Sequence, residues 1–360
     1  MKNILYIGKY NGIIGGIERY MQKSAELLKR NGFAVHLRYF ETGGKNTCEF
    51  AAAFASVKLF SQDDELLNSA DMMILHNIID VKFLEKLPRE RTFFFAHDHN
   101  IYCQRHHYYM PINRINCSRA YNKFICKLCS LGRNPAPPLA EYRRFKVLVL
   151  SDFMAENLRK NGFENVFKLP PFIRTEKTAH TFMPDGVLRI LFLGQLIRGK
   201  GADLMLKALA RLDIPFHCTI AGDGKDRAML EQMADKFNLR SRIDFTGFVS
   251  DPESLWKNCD VFCFPIRWQE PFGLVGLEAS AHGIPTVAFD LGGVREWLFE
   301  GKNGFAVPEA ADMNVAFRLI YQHHDILLPE MRENCLRIAE ENFSEENFVK
   351  TFTEFAEELK

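Results

Sequence analysis

Short apolar runs that do not alternate with polar residues recur along the whole of this 360-residue chain, and most are followed by a stretch of helical periodicity. Such runs are what strands covered on both faces look like, and strands separated by helices imply parallel sheets. The expected strands lie near 3–8, 33–40, 71–75, 92–96, 146–150 and 166–169. A second series lies near 188–193, 216–221, 242–246, 260–264, 286–289 and 305–308. The first helix, about Ile17 to Asn31, puts Ile17, Met21, Leu27 and Leu28 on its inward stripe, and Gly32 ends it. Two such halves need two cores, which 47% hydrophobic residues can supply. The polar stretch Arg174 to Gly186, behind Pro170-Pro171, reads as the connection between them.

The stretch Glu270-Pro-Phe-Gly-Leu-Val-Gly-Leu-Glu278 places two carboxylates eight positions apart across a loop-to-helix transition. A strand ending at Phe262-Cys-Phe-Pro265 precedes it, and the helix opened by Gly273 runs to about His282, with Gly283 as its stop. Glu270 thus sits above the sheet, with Glu278 about two turns into the helix. The amides near Phe272, Gly273 and Leu274 lie at the helix N-terminus, where an anion is favoured.

These residues resemble the family 4 retaining glycosyltransferases, whose hallmark is a Glu-x7-Glu element. The resemblance runs over most of the chain: Gly15-Gly16-Ile-Glu18, His97-Asp98, Leu193-Gly194-Gln195-Leu-Ile-Arg198-Gly-Lys200-Gly201, Ile220-Ala-Gly222-Asp-Gly224, Phe245-Thr-Gly247 and Gly292-Gly293-Val-Arg-Glu296. It implies a GT-B architecture, two Rossmann-like parallel-sheet domains facing across a cleft. Residues 1–173 would form the acceptor side, 187–343 would bind the nucleotide sugar, and 344–360 would be a helix crossing back to the first domain. In that helix Phe348, Phe352, Phe355 and Leu359 recur at helical spacing and read as packing.

The resemblance also implies roles. Lys200 would contact the donor diphosphate, Glu278 the two ribose hydroxyls, and Glu270 and His97 the donor sugar. Gly15 and Gly16 would let the backbone approach a ligand, while Gly222, Phe272, Gly273 and Leu274 would line the nucleotide site. Where the family usually carries an arginine this chain has Gln195, an uncharged donor, and Arg198 is the nearby cation that could compensate. Glu296 would lie near the nucleotide or act as a structural cap. The chain contains no Asp-x-Asp element for a divalent ion, so side-chain cations and helix N-termini are expected to neutralise the leaving group without a catalytic metal.

The formal net charge of +1 gives no reason to expect nucleic acid as a partner, but charge is unevenly spread. From Arg105 to Lys146 nine Lys/Arg (Arg105, Arg114, Arg119, Lys123, Lys127, Arg133, Arg143, Arg144, Lys146) face one acid, Glu141. This basic insertion, about 99–145, suits an anionic surface such as a lipid headgroup or lipid pyrophosphate, or is an ordinary solvated loop. It also carries Cys103, Cys117, Cys126 and Cys129, which could hold a structural zinc or an iron–sulfur site, or remain reduced and unliganded; His99, His106 and His107 are further candidate ligands. The apolar start Met1 to Gly8 is too short for a signal peptide and no run of about 18 apolar residues occurs. The expectation is a cytoplasmic protein, peripheral at most at the inner face of the membrane.

The expected function is transfer of a hexosyl group, with retention, from a UDP- or GDP-linked sugar to a saccharide or lipid-linked saccharide in polysaccharide or glycoconjugate biosynthesis. A nucleotide-sugar epimerase and a non-catalytic nucleotide-sugar-binding scaffold are the alternatives. A dinucleotide role is excluded because the first turn, Gly8-x3-Gly12-x2-Gly15-Gly16, is not the G-x-G-x-x-G pattern.

Overall fold

The computed structural model describes residues 2–78, 81–110, 115–132, 134–175, 177, 180–249 and 251–357. They form two units, Met1–Pro171 with Glu345–Lys360, and Phe172–Ser344. Arg114, Arg133 and Leu359 lie outside the described residues.

The first unit is a seven-stranded sheet whose paired strands all run parallel. Its strands are β1 (Asn3–Tyr10), β2 (Ala34–Glu41), β3 (Ser56–Leu59), β4 (Met72–His76), β5 (Thr92–Phe95), β8 (Lys146–Val149) and β9 (Val166–Lys168). Strands β6 (Tyr109–Met110) and β7 (Ile115–Asn116) make a small antiparallel pair of their own. The spatial order is β3-β2-β1-β4-β5-β8-β9. The inner strands carry the unbroken apolar runs because both faces are covered: every residue of β4 and β5 is buried. Strand β3 has no such signal. It is an edge strand of four residues, two of them exposed, with Lys58 in its middle, so nothing in its pattern separates it from a loop. The β6–β7 pair escapes sequence reading for the same reason: two residues show no period.

Helix Gly16–Arg30 packs with Tyr20, Met21, Ser24, Ala25, Leu27 and Leu28 buried. Ile17, expected inward, is only half-buried, whereas Glu18 is buried. The Glu18 carboxylate accepts the Gly15 N–H at 2.9 Å and so caps the helix start, which draws that side chain inward beside Ile17. Helix Glu345–Glu357 packs on this unit through Phe352 against Phe33 (5.6 Å between ring centres) and Phe355 against Phe167 (5.7 Å). Arg30 pairs with Glu345 at 3.0 Å at its start.

The second unit holds β10 (Leu188–Leu193), β11 (Phe216–Ala221), β12 (Ile243–Gly247), β13 (Val261–Phe264), β14 (Thr286–Phe289) and β15 (Gly304–Val307), parallel throughout, in the order β12-β11-β10-β13-β14-β15. Its core joins Ile190 and Phe192 of β10 to Met205, Leu206 and Leu209 of helix Ala202–Leu209 and to Phe317 and Ile320 of helix Ala310–Gln322. Strand order reverses between β10 and β13. At such a switch point the loops beyond the carboxyl ends diverge and leave a crevice where parallel sheets bind ligands. The first unit has its own reversal between β1 and β4.

Candidate functional site

Two clusters of polar side chains stand at these reversals, one in each unit. In the second unit the loop after β10 turns through a short 3-10 segment, Arg198–Lys200, and the loop after β13 runs from Pro265 to Gly273. They press together closely. A Cβ on Gly201, at φ +75°, would stand 1.7 Å from the Pro265 carbonyl oxygen, and one on Gly199 would stand 1.9 Å from the Trp268 ring. Arg267 ties the loops further, donating to the Arg198 carbonyl at 2.9 Å and pairing through both guanidinium arms with Asp203.

This clamp brings Lys200 and Glu270 together from 70 positions apart: the ammonium lies 3.3 and 3.5 Å from the two carboxylate oxygens. The Trp268 indole N–H donates to the same carboxylate at 3.2 Å, and its ring lies 5.5 Å from the ammonium. The side chains are 24% and 18% exposed, enough to be reached by a ligand. Trp268 went unnoticed in the sequence although it lies two positions before Glu270; a lone tryptophan carries no pattern.

The Glu270 backbone is held from behind. It bridges Gly292 in parallel fashion and its carbonyl accepts the Gly293 N–H at 2.8 Å, while a Cβ on Gly292 (φ +69°) would fall 2.3 Å from that carbonyl oxygen. The Gly292-Gly293 motif is thus a close backbone approach that sets the height of Glu270. Two residues on, the Phe272 carbonyl accepts the Trp297 indole N–H at 2.7 Å, and the Phe272 ring is buried against Phe343. Phe272 can therefore offer a ligand only its backbone. Gly273, at φ +93°, is the N-cap of helix Leu274–Ala281, and Glu278 lies half-buried on that helix. The Gly222 N–H bonds to the Gly247 carbonyl at 2.8 Å, which joins two glycine motifs beyond adjacent strands. Gln195 and Arg198 are both exposed, and Glu296 falls in the 3-10 turn Gly293–Glu296.

In the first unit, His97 follows β5. Its Nε2 lies 2.9 Å from Nδ1 of His76 at the end of β4, and its ring stacks on Phe95 at 4.3 Å. Tyr20 meets His97 edge-on at 5.3 Å. Burial among these rings pushes His97 down to about 3, and it drives His76 well below the ordinary histidine range. Both are neutral imidazoles near pH 7, so His97 can donate or accept one hydrogen bond but supplies no positive charge. His76 was missed, yet it ends a buried strand where His97 lies two residues beyond one, and that position was a usable signal. Asp98 is occupied structurally: its carboxylate accepts the Asn100 N–H at 2.8 Å and the Asn77 side-chain amide at 2.9 Å. Gly16 has no atom within 4 Å of where a Cβ would lie, and Gly15 has only the Glu18 carboxylate at 4.0 Å. Neither glycine is demanded by the protein around it.

Cys103, Cys117, Cys126 and Cys129 line one cavity of about 40 Å³ together with Tyr102 and Tyr108. Burial raises Cys103, Cys126 and Cys129 above the ordinary thiol range. Among the described residues no three His, Cys, Asp or Glu side chains are grouped so as to hold a metal ion.

Residues 174–341 match the family model described as "Glycosyl transferases group 1". An uncharacterized glycosyltransferase of Methanocaldococcus jannaschii is 36% identical over 128 residues, which is 34% of this chain and 32% of that one. A D-inositol 3-phosphate glycosyltransferase of Arthrobacter sp. is 32% identical over 169 residues, 42% of this chain and 38% of its own. The matches span between about a third and a half of the length of such curated relatives. Among solved structures, Anabaena HepE in complex with UDP superposes with a TM-score of 0.77 at 18% identity, covering 99% of this chain and 100% of that one. HepE has also been solved with UDP-glucose. Among the described residues no helix is long and apolar enough to cross a membrane. Residues 174–341 are thus similar to the glycosyl transferases group 1 family, and the chain as a whole has the GT-B fold.

Proposed function

We propose that this protein transfers a hexosyl group, with retention of anomeric configuration and without a catalytic metal, from a UDP- or GDP-linked sugar to a saccharide or lipid-linked saccharide acceptor in polysaccharide or glycoconjugate assembly. The observation that carries the reading is the Lys200–Glu270–Trp268 cluster at the strand-order reversal of the second unit, within the residues that match the glycosyl transferases group 1 model. UDP and UDP-glucose complexes of the similarly folded HepE support a nucleotide-sugar donor.

In this reading the Lys200 ammonium neutralises charge that builds on the diphosphate as the bond from anomeric carbon to phosphate oxygen breaks. The amides at the start of helix Leu274–Ala281 add the positive end of a helix dipole. Glu278 accepts the two ribose hydroxyls, one on each carboxylate oxygen. Glu270, its orientation fixed by the Trp268 N–H, faces positive charge developing at the anomeric carbon. The acceptor oxygen bonds that carbon on the face the phosphate leaves, and the acceptor proton passes to the departing phosphate oxygen. His97, a neutral imidazole, hydrogen-bonds a sugar hydroxyl and takes no part as an acid. Gln195 supplies an uncharged donor and Arg198 the additional cation.

The test is thermal stability of the purified protein against UDP, GDP, ADP and their common sugars with no added metal. Ligand at a hundred times its dissociation constant adds about 2.7 kcal/mol of stability, a rise of several degrees at this size. A rise confined to one nucleotide and its sugars names the donor. No rise with any of them, on folded protein, overturns the assignment of this cluster to a donor site.

A further inference from the structure

The insertion in the first unit carries a helix that packs the wrong way round for a globular protein. Helix Lys123–Cys129 has no buried residue. Cys126 and Cys129, one turn apart, are half-buried and line the cavity inside the insertion. The opposite side carries Phe124 and Leu128, four positions apart and therefore on one face, at 82% and 74% exposure. These are the two most exposed large apolar side chains among the described residues, and Ile115, Ile125 and Leu131, also exposed, lie in the same short stretch. A surface helix ordinarily turns its apolar stripe inward and its polar stripe to water. The helix is a formed one: the Asn122 side chain caps it, accepting the Phe124 and Ile125 N–H groups at 3.1 Å each.

Charge says what covers the face. Lys123 and Lys127 are exposed on the same helix and Arg119 just before it, and no Asp or Glu occurs from His99 to Ala140. Exposed aromatic and aliphatic side chains ringed by lysine and arginine, with no acid among them, complement a surface that is apolar within and anionic at its border. We propose that the Phe124–Leu128 face of this helix is a docking surface for an anionic lipid bilayer. Phe124 and Leu128 enter the boundary between headgroups and acyl chains, and Lys123, Lys127 and Arg119 lie along the phosphates. A helix of seven residues spans only about 10 Å, so it acts as a wedge with a basic collar and binds reversibly. The proposal does not rest on the glycosyl-transfer reading, and its test does not use activity.

The full-length protein is mixed with sucrose-loaded vesicles of phosphatidylcholine alone, or of phosphatidylcholine with 30 mol% phosphatidylglycerol, and sedimented. The expected result is partition onto the anionic vesicles, weakening with salt, and little onto the neutral ones. Phe124→Gln with Leu128→Gln should lower the partition at least tenfold, and Lys123→Gln with Lys127→Gln on the order of fivefold for each lysine. Since all four side chains are exposed, circular dichroism and melting temperature should match the parent, which separates lost docking from lost folding. No partition onto anionic vesicles, or partition unchanged by Phe124→Gln with Leu128→Gln, overturns the proposal. Sedimentation velocity supplies the remaining outcome: self-association abolished by that same double variant, without vesicle binding, assigns the face to a second copy of the chain and overturns it too.

Discussion

Replacing Gly276 by alanine should destabilise the second unit, although local propensity says the reverse. Gly276 lies in the first turn of helix Leu274–Ala281, where alanine is favoured over glycine by about 1 kcal/mol. In the folded protein, however, a Cβ at this position would stand 2.0 Å from one atom of the Trp297 ring and 2.2 Å from another, where ordinary contact begins near 3.4 Å. The ring would have to withdraw by about 1.4 Å, and it has nowhere to go, being fully buried. Overpacking of this kind costs about 1–3 kcal/mol. Moving the indole also stretches its 2.7 Å hydrogen bond to the Phe272 carbonyl, and a buried donor left without its acceptor costs about 1–3 kcal/mol more. Against the propensity gain the net is about 3 kcal/mol of destabilisation, a fall of about 6–12 °C in melting temperature at 2–4 °C per kcal/mol. Near-ultraviolet circular dichroism follows the tryptophans through the melt, with far-ultraviolet signal as the comparison. Because Trp297 holds the Phe272 carbonyl just beyond Glu270, the variant should also bind the donor nucleotide more weakly below its melting point. A melting temperature equal to or above that of the parent would refute the argument, since it would mean the ring accommodates a methyl group without loss.

Gly16→Ala is the complementary case: with open space at its Cβ position, the melting temperature should hold or rise slightly, and any loss of donor or acceptor binding measured by titration then reports room needed by a ligand. Lys200→Ala should lower kcat on the order of 10²–10³-fold, the range for losing one preorganised donor to a leaving group. Its partly exposed pair with Glu270 contributes about 1 kcal/mol to folding, so the melting temperature should drop by no more than a few degrees; a large drop with a small rate loss would make Lys200 a structural residue. Stability should decline as pH falls below about 6.5. His76, His97 and His180 all titrate lower in the folded protein than their ordinary value, His97 at about 3 and His180 at about 4. Between those values and 6.5 the unfolded chain binds more protons, so the stability these groups confer is complete above 6.5 and is lost as pH falls. Melting temperatures at pH 7.5 and 5.0 check it, and a higher value at pH 5.0 would contradict the burial of these imidazoles.

Much of the fold was legible because parallel strands covered on both faces leave unbroken apolar runs, and twelve expected strands have counterparts in the two sheets. Signals failed where elements are short or exposed: β3 at the sheet edge, and the two-residue strands β6 and β7. The helix start at Gly273 was readable from glycine and the apolar residues behind it, and it occurs at Leu274. The candidate site divides differently. Lys200, Glu270, Glu278 and His97 stood out singly, each on a loop or helix behind a strand. Trp268 and Trp297, which orient Glu270 and anchor its loop, did not, since their importance lies in what they touch.

Sequence alone determined the kind of elements this chain forms and the chemical types available beyond its strands, because local periodicity and glycine positions act over a few residues. Only the tertiary structure decided that Lys200 meets Glu270, that His97 stacks as a neutral ring on Phe95, and that Phe124 faces outward while Cys126 faces in. The first two depend on strand order and the third on which side of a short helix finds a cavity to fill. Those are matters of long-range packing, and no pattern of neighbours along the chain encodes them in readable form.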